Sequence, residues 1–344
     1  MRHKTYLLWL MVIFLLISAC TSSTRKTPDI DIYQGTEGIV LEFIKNAPPP
    51  KVFEDSNFPI AVKITNKGAY SIDDKNPAIF TLIREKDYVK LSAYDNDERI
   101  KDRSSDNQFR FKLDGKSQIR QKGDEMIVTF NAVTGKLEPQ SEIKQSIVTA
   151  NACYPYKTLL TTSVCIDPDI TKISTAKKVC EVKDLSFSGQ GAPVAVTKIE
   201  QNNVMKEGKV FPQYIIYVED KSTGNPINAN SLGKACAGDS LTPEDTRALW
   251  NIAAVTAKIP SSGAPAQLAC TPSVDDVTFS SKDKNSKNKA GLLRFRDKKS
   301  FVKCELREGM ETSADAFTTQ LRVEIEYGYV QNAGAIFTIQ KPQR

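Results

Sequence analysis

Phe58-Pro59-Ile60-Ala61-Val62-Lys63-Ile64-Thr65 decides the fold class of this chain. Phe58, Ile60, Val62 and Ile64 alternate with Pro59, Ala61, Lys63 and Thr65, a period of two that turns one apolar face inward. Asn66-Lys67-Gly68 then supplies a turn. Leu321, Val323, Ile325 and Tyr327 alternate with Arg322, Glu324 and Glu326 in the same way. Shorter runs cover Ile39 to Ile44, Met126 to Phe130, Ile147 to Ala150, Val194 to Ile199, Tyr214 to Val218 and Leu292 to Phe295. Helical signals are scarce. The best is Thr242-Pro243-Glu244-Asp245, with a cap residue, proline at the first helical position and acids in the first turn. It leads into about two turns before Trp250. Many short strands and almost no helix indicate an all-β chain of β-sandwiches.

A weak internal repeat divides the chain. Phe58-Pro59 opens one strand and Phe211-Pro212 opens a similar one, with a turn near Lys221-Ser222-Thr223-Gly224. Later, Cys153-Tyr154-Pro155-Tyr156 aligns with Glu326-Tyr327-Gly328-Tyr329. Both Y-x-Y elements, read as hairpins, are followed by β-rich ends, Val164-Cys165-Ile166 and Ile336-Phe337-Thr338-Ile339. Two copies of one sandwich type are expected, over residues 37–172 and 173–344.

The N-terminus reads as an address. Arg2, His3 and Lys4 form a positive start, and Tyr6 to Ala19 is apolar except for Ser18. That stretch is short for a hydrocarbon core of about 30 Å but suits a signal peptide, residues 1–19. Ile17-Ser18-Ala19-Cys20 resembles a lipobox, which implies cleavage before Cys20 and a lipid on its sulfur. Residues 20–36 then form the lipidated cysteine and a polar tether. Cleavage takes Arg2 and Lys4, so the net charge falls from +6 to +4, and it removes His3, the only histidine. Nucleophile activation by imidazole is thereby excluded, and most zinc sites lose a usual ligand. A small net charge with mixed signs gives no footprint for nucleic acid.

Cys153, Cys165, Cys180, Cys236, Cys270 and Cys304 remain, an even set with no C-x-x-C pair. In an extracytoplasmic protein they read as three disulfides. Cys153 and Cys165 flank the first Y-x-Y, where the second copy has Glu326 and Thr338. Their joint absence there points to a Cys153–Cys165 bond. Cys180–Cys236 and Cys270–Cys304 complete the expected scheme.

No motif supplies a catalytic or metal-binding set. Ser-x-x-Lys matches, among them those at Ser141, Ser174, Ser231, Ser281, Ser286 and Ser300, accompany Ser105-Asp106-Asn107, but no K-T-G exists. Gly189-Gln190-Gly191 precedes Ala192-Pro193 and reads as a loose lead into a strand rather than a phosphate loop. Asp95-Asn96-Asp97-Glu98 opens like a calcium loop, but Arg99 and Ile100 stand where the pattern wants Asp or Asn and then Gly. Lys282, Lys284, Lys287 and Lys289 crowd one polar loop able to touch anionic lipid or wall polymer, or simply to keep a turn soluble. Tyr154, Tyr156, Tyr327 and Tyr329 are either sugar-stacking platforms or packed sandwich tyrosines with wet hydroxyls. No cofactor is implied.

The lipobox, the turn-ended Phe-Pro strand, Gln190 to Pro193 and the Y-x-Y elements together resemble uncharacterised archaeal surface lipoproteins with tandem immunoglobulin-like domains. The resemblance covers most of the mature chain and implies two such sandwiches behind a signal peptide and tether, with no catalytic residues to carry over. The function expected is a membrane-anchored surface module for adhesion, binding or envelope scaffolding. Its partners are the membrane, through lipid on Cys20, and a surface or envelope protein. The alternatives are a solute-binding lipoprotein of a transporter, or a hydrolase using paired carboxylates.

Overall fold

A computed structural model describes residues 31–95, 97–171, 177–236, 242–260, 265–274, 290–311 and 315–342. The signal peptide, Cys20, most of the tether, the expected boundary at residue 172, and the loop of Lys282, Lys284, Lys287 and Lys289 lie outside the described residues.

The first half supplies β1 (Ile39–Phe43), β2 (Lys51–Phe53), β3 (Asn57–Asn66), β4 (Ala78–Arg84), β5 (Val89–Tyr94), β6 (Ile100–Arg103), β7 (Gln108–Phe111), β8 (Glu125–Thr134) and β9 (Ile143–Ile166). The second opens with β10 (Leu185–Ser186), β11 (Val194–Lys206), β12 (Lys209–Asp220) and β13 (Asn225–Ile227). Helices α1 (Leu232–Cys236) and α2 (Pro243–Leu249) follow. Then come β14 (Ile252–Ile259), β15 (Ala266–Gln267), β16 (Ala269–Thr271), β17 (Gly291–Arg294), β18 (Lys299–Glu305), β19 (Met310–Glu311) and β20 (Phe317–Gln340). Helix α2 has the caps read from the sequence: the Thr242 side chain accepts from the Asp245 amide, and Trp250 closes the last turn.

The β3 pattern does what its period demands. Phe58, Ile60, Val62 and Ile64 are buried, while Lys63 turns outward to Glu125 at 3.1 Å. Their sheet, β1-β3-β8-β5, comes from the first half alone. A second sheet, β10-β11-β12-β18-β16, comes from the second half alone. The third is shared and runs β15-β14-β20-β9-β4-β7-β6. Its centre is the antiparallel pair β9–β20, in register from Ile143↔Gln340 to Ile166↔Phe317.

Each half is an immunoglobulin-like sandwich completed by the other. The order β1-β3-β8-β5 is the A-B-E-D order of such a sheet, with β4 and β9 as C and F. The place beside F, where a seventh strand G belongs, is filled by the end of β20. By the same logic β11, β12, β14, β16, β18 and β20 are A to F of the second half, and the end of β9 fills its G position. Strands β9 and β20 therefore pass straight from one sandwich into the other. The Y-x-Y elements lie in mid-strand, with Tyr156 opposite Tyr327 and Tyr154 opposite Tyr329, and form no hairpins. Residues 32–344 make one compact unit, with its main buried core drawn from both halves. Each outer sheet draws its strands from one half, and the shared sheet draws on both.

This topology corrects two of the three expected disulfides. Cys153 and Cys165 lie on one strand, about 40 Å apart at 3.4 Å per residue, far beyond bonding range. Cys153 bonds Cys236 of α1, and Cys165 bonds Cys180 in the crossing between halves. Cys270–Cys304 is present, joining cross-strand neighbours on β16 and β18. The second copy, with Glu326 and Thr338 at the matching positions, makes neither bond. Three disulfides are the bonding pattern of an oxidising, extracytoplasmic compartment.

Candidate functional site

The repeat places four tyrosines in one row between the layers. Tyr154, Tyr156, Tyr327 and Tyr329 are each at most 1% exposed, so none offers a ring to a sugar. Every hydroxyl is bonded. Tyr154 accepts from the Ile39 amide of β1 at 3.1 Å, and Tyr327 from the Val194 amide of β11 at 3.3 Å. Tyr156 donates to Asn66 Oδ1 at the end of β3 at 3.2 Å, and Tyr329 to Asp220 Oδ1 at the end of β12 at 2.8 Å. Tyrosines at matching places thus hold matching strands, β1 with β11 and β3 with β12. Burial drives the Tyr154 and Tyr327 hydroxyls well above the ordinary tyrosine range, so the row is neutral.

The same bonds correct the register of the repeat. Asn66 matches Asp220, so buried Phe58 matches buried Pro212 rather than Phe211. The shared Phe-Pro dipeptide is one residue out of step.

Asp220 is the charged member of this pair of caps. Burial raises its carboxyl above the ordinary 3.8, against the lowering effects of the Tyr329 hydroxyl and Lys298. A carboxyl raised by folding stabilises most below 3.8, and loses that contribution as pH rises through the raised value. Asp220→Asn, which copies Asn66, is therefore expected to raise the melting temperature at neutral pH. The gain should shrink as pH falls below 3.8. Melting curves at both pH values check this; a gain that grows on acidification contradicts it.

Tyr214 is a buried tyrosine of another kind. Among the described residues its hydroxyl has no hydrogen-bond partner, and burial alone raises its pKa. Tyr214→Phe should stabilise the chain by about 1–2 kcal/mol, the cost of an orphaned buried hydroxyl, and urea melts would show it.

Three loops close over the tyrosines. Gly191 donates its amide to Gly35 O at 2.8 Å and accepts from the Ala69 amide at 2.7 Å. Gln190 is buried and clamps Val196 through both amide atoms, at 2.8 and 3.1 Å. The Gly189-Gln190-Gly191 segment is therefore a packed junction, not a loose lead. Gly35, placed in the tether by sequence, belongs to this junction. A solute-binding reading needs a cleft between two lobes, but here the meeting of the halves is filled by tyrosines and paired backbone.

The remaining sequence candidates are engaged locally. Arg99 holds both Asp97 carboxylate oxygens, at 2.8 and 2.7 Å, which occupies the strongest ligand of the calcium-like loop; Asn96 lies outside the described residues. Among the described residues no group of three or more His, Cys, Asp or Glu side chains could hold a metal. Ser105 donates to Asn107 Oδ1 at 2.8 Å. Ser300 and Lys303 sit three apart on β18, so they face opposite sides. Lys234, the partner of Ser231, pairs with Asp245. The matches at Ser174, Ser281 and Ser286 lie outside the described residues. An open cleft of about 510 Å³ beside Ile259, Leu306 and Met310 carries Glu308 and Glu311. Both carboxylates are exposed, whereas paired-carboxylate chemistry needs environments that separate their proton affinities.

The surface distinguishes the halves more than the interior does. On the outward face of the shared sheet, β13 and α1 cover Cys153 and Val330. Beyond them the first-half end is open. Its central outward residues are Thr81 and Ile83 on β4, Ile143, Gln145, Ile147, Thr149 and Asn151 on β9, and Asn332, Gly334, Ile336, Thr338 and Gln340 on β20; Lys51 and Phe53 of β2, opposite Thr338 and Gln340, and Arg110 of β7, opposite Ile79, stand at the rim. None of the central residues is charged, in a chain where 26% of residues are. Ile83, Ile147 and Ile336 are 51%, 47% and 62% exposed. The tyrosine register pairs these three with Lys258, Gln320 and Ser163 at the second-half end, where Arg322, Glu324 and Glu326 also face outward. One site on the repeat is thus built for water in one half and apolar in the other. Sequence reading missed it because alternation marks which residues face out, not which outward residues lie together.

No family model matches the chain, and no curated protein matches it. Among solved structures it is similar to a cohesin–dockerin complex chain from Clostridium thermocellum, with 12% identity and a TM-score of 0.24, over 35% of this chain and 85% of that one. It is also similar to a chain described as BspA_C_WT, with 8% identity and a TM-score of 0.19, over 89% and 95% of the two chains. A partial N-terminal region of an enterococcal surface protein gives 8% identity and a TM-score of 0.18, over 81% and 85%. At such TM-scores these likenesses carry no argument about what this chain does.

Proposed function

We propose that this chain is a lipid-anchored, extracytoplasmic surface protein that works by protein contact, in adhesion or as an envelope scaffold. The observation that carries the reading is the uncharged, isoleucine-bearing face on the first half, at positions that are polar and charged in the second. An apolar outward patch marks a contact surface. Apart from the five-residue β1, the edges formed by β5, β6, β10, β15 and β16 are poorer candidates for strand addition. β5 and β6 carry bulges, β6 is largely charged, and β10, β15 and β16 are three residues or shorter; such devices discourage edge pairing. The lipobox-like Ile17-Ser18-Ala19-Cys20 supports the anchor, as does the resemblance to archaeal surface lipoproteins.

Two measurements on intact cells test this. A photo-crosslinking residue at position 147 should give a protein adduct, whereas one at the matching Gln320 should not. Equal yields at both positions, or none at either, would remove the face from the proposal. Cys20→Ser should move the protein from the membrane fraction to the soluble one; unchanged membrane retention contradicts the lipid anchor.

A further inference from the structure

We infer that the uncharged face of the first half is a self-association surface, and that its occupant is the same face of a second copy of this chain. The inference rests on the protein-contact reading above and names the partner.

Two properties of the face select a copy of itself. The first is charge. At the centre of the face a charged partner would bring groups that lose water without gaining a counter-ion, because none of the outward residues on β4, β9 and β20 offers one; the cations Lys51 and Arg110 stand only at the rim. The matching surface must itself be uncharged at its centre, and this chain displays one. The second is shape. Ile336 stands out at 62% exposure. Two residues along the same strand, Gly334 leaves a recess: a Cβ there would meet only the Ile147 Cδ1 at 3.6 Å and the Val148 carbonyl at 4.0 Å. A knob beside a hole is self-complementary about a two-fold axis passing between them, each Ile336 entering the other copy's Gly334 recess. Ile147, opposite Ile336, and Ile83 flank the contact.

The size of the face sets the strength. Three strands about 4.8 Å apart and about ten residues long present roughly 500 Å² per copy. About 1,000 Å² in all is the lower edge of specific interfaces, which makes the dimer weak and concentration-dependent. Copies held on one membrane would meet far more often than copies in solution.

Sedimentation velocity of the chain from Thr21, which contains every described element, tests the inference over about 1–500 μM. The wild type is expected to shift from monomer to dimer across that range. A variant with Ile147→Lys and Ile336→Lys, and one with Ile147→Glu and Ile336→Glu, should each bind themselves about 100-fold more weakly because like charges then meet. Mixed one to one, the two should form a heterodimer, since opposite charges then meet whichever residues face each other. Circular dichroism of the variants confirms that the sheets are intact. A wild type that stays monomeric throughout overturns the inference. So does a dimer that both variants form as readily. A crosslink to a foreign protein from position 147, with no self-association, keeps the protein-contact reading and removes only the second copy.

Discussion

Gly68→Ala is expected to cost about 3–5 kcal/mol or to prevent folding outright, the range of the most disruptive single substitutions. The reason is space. A Cβ at position 68 would sit 1.8 Å from the Tyr156 hydroxyl, 2.6 Å from the Glu37 carbonyl and 2.7 Å from the Gly191 carbonyl. Two of these three are backbone atoms of the closing loops. Moving the tyrosine would break its bond to Asn66, which also donates to the carbonyls of Tyr70 and Leu113 at 2.8 and 3.1 Å. One methyl group thus separates the end of β3, the N-terminal segment and the entry to β11. Chemical denaturation measures the loss. A cost below about 1 kcal/mol would mean that the junction is not packed as described.

Phe337→Ala is expected to cost about 3–5 kcal/mol, as for a large buried aromatic, and to loosen the opposite end of the sequence. Phe337 lies seven residues before Arg344, is 1% exposed and packs its ring 5.3 Å from that of Phe58. It belongs to the core of the first half because β20 supplies that half's seventh strand. Hydrogen exchange should therefore lose protection in β3 and β8. Independent tandem sandwiches would confine the damage to residues after 173. Protection lost only in β11, β12 and β18 would falsify the shared sheet.

Much of the architecture was legible along the chain. Alternation at Phe58 to Ile64 and at Leu321 to Tyr327 named buried faces, because a strand's side chains obey a period of two whatever surrounds them. Thr242-Pro243-Glu244-Asp245 named a helix start, because caps act through backbone amides within three residues. The Y-x-Y pair marked a true repeat, since both tyrosines of each copy do the same work. The Phe-Pro pair did not, being alike in letters and one residue apart in burial. Helix α1 was invisible: five residues with no cap signal hold their place through Cys153–Cys236 and packing on the sheet. The apolar face was equally hidden. Ile83, Ile147 and Ile336 come from three distant segments, and each alone is an ordinary exposed strand residue.

The sequence by itself determined the all-β class, the doubled sandwich, the six cysteines after residue 20 and the absence of histidine after residue 3. All of these are local properties or counts. Tertiary structure alone decided that β9 and β20 continue through each other's sandwich. It thereby decided which cysteines meet and where three isoleucines form one surface. The physical reason is that a strand carries its own inward and outward faces, but which strand it pairs with is a contact between segments far apart in the chain. Tyr156 and Tyr327 are 171 residues apart and directly opposed; nothing in the spacing of either neighbourhood records it.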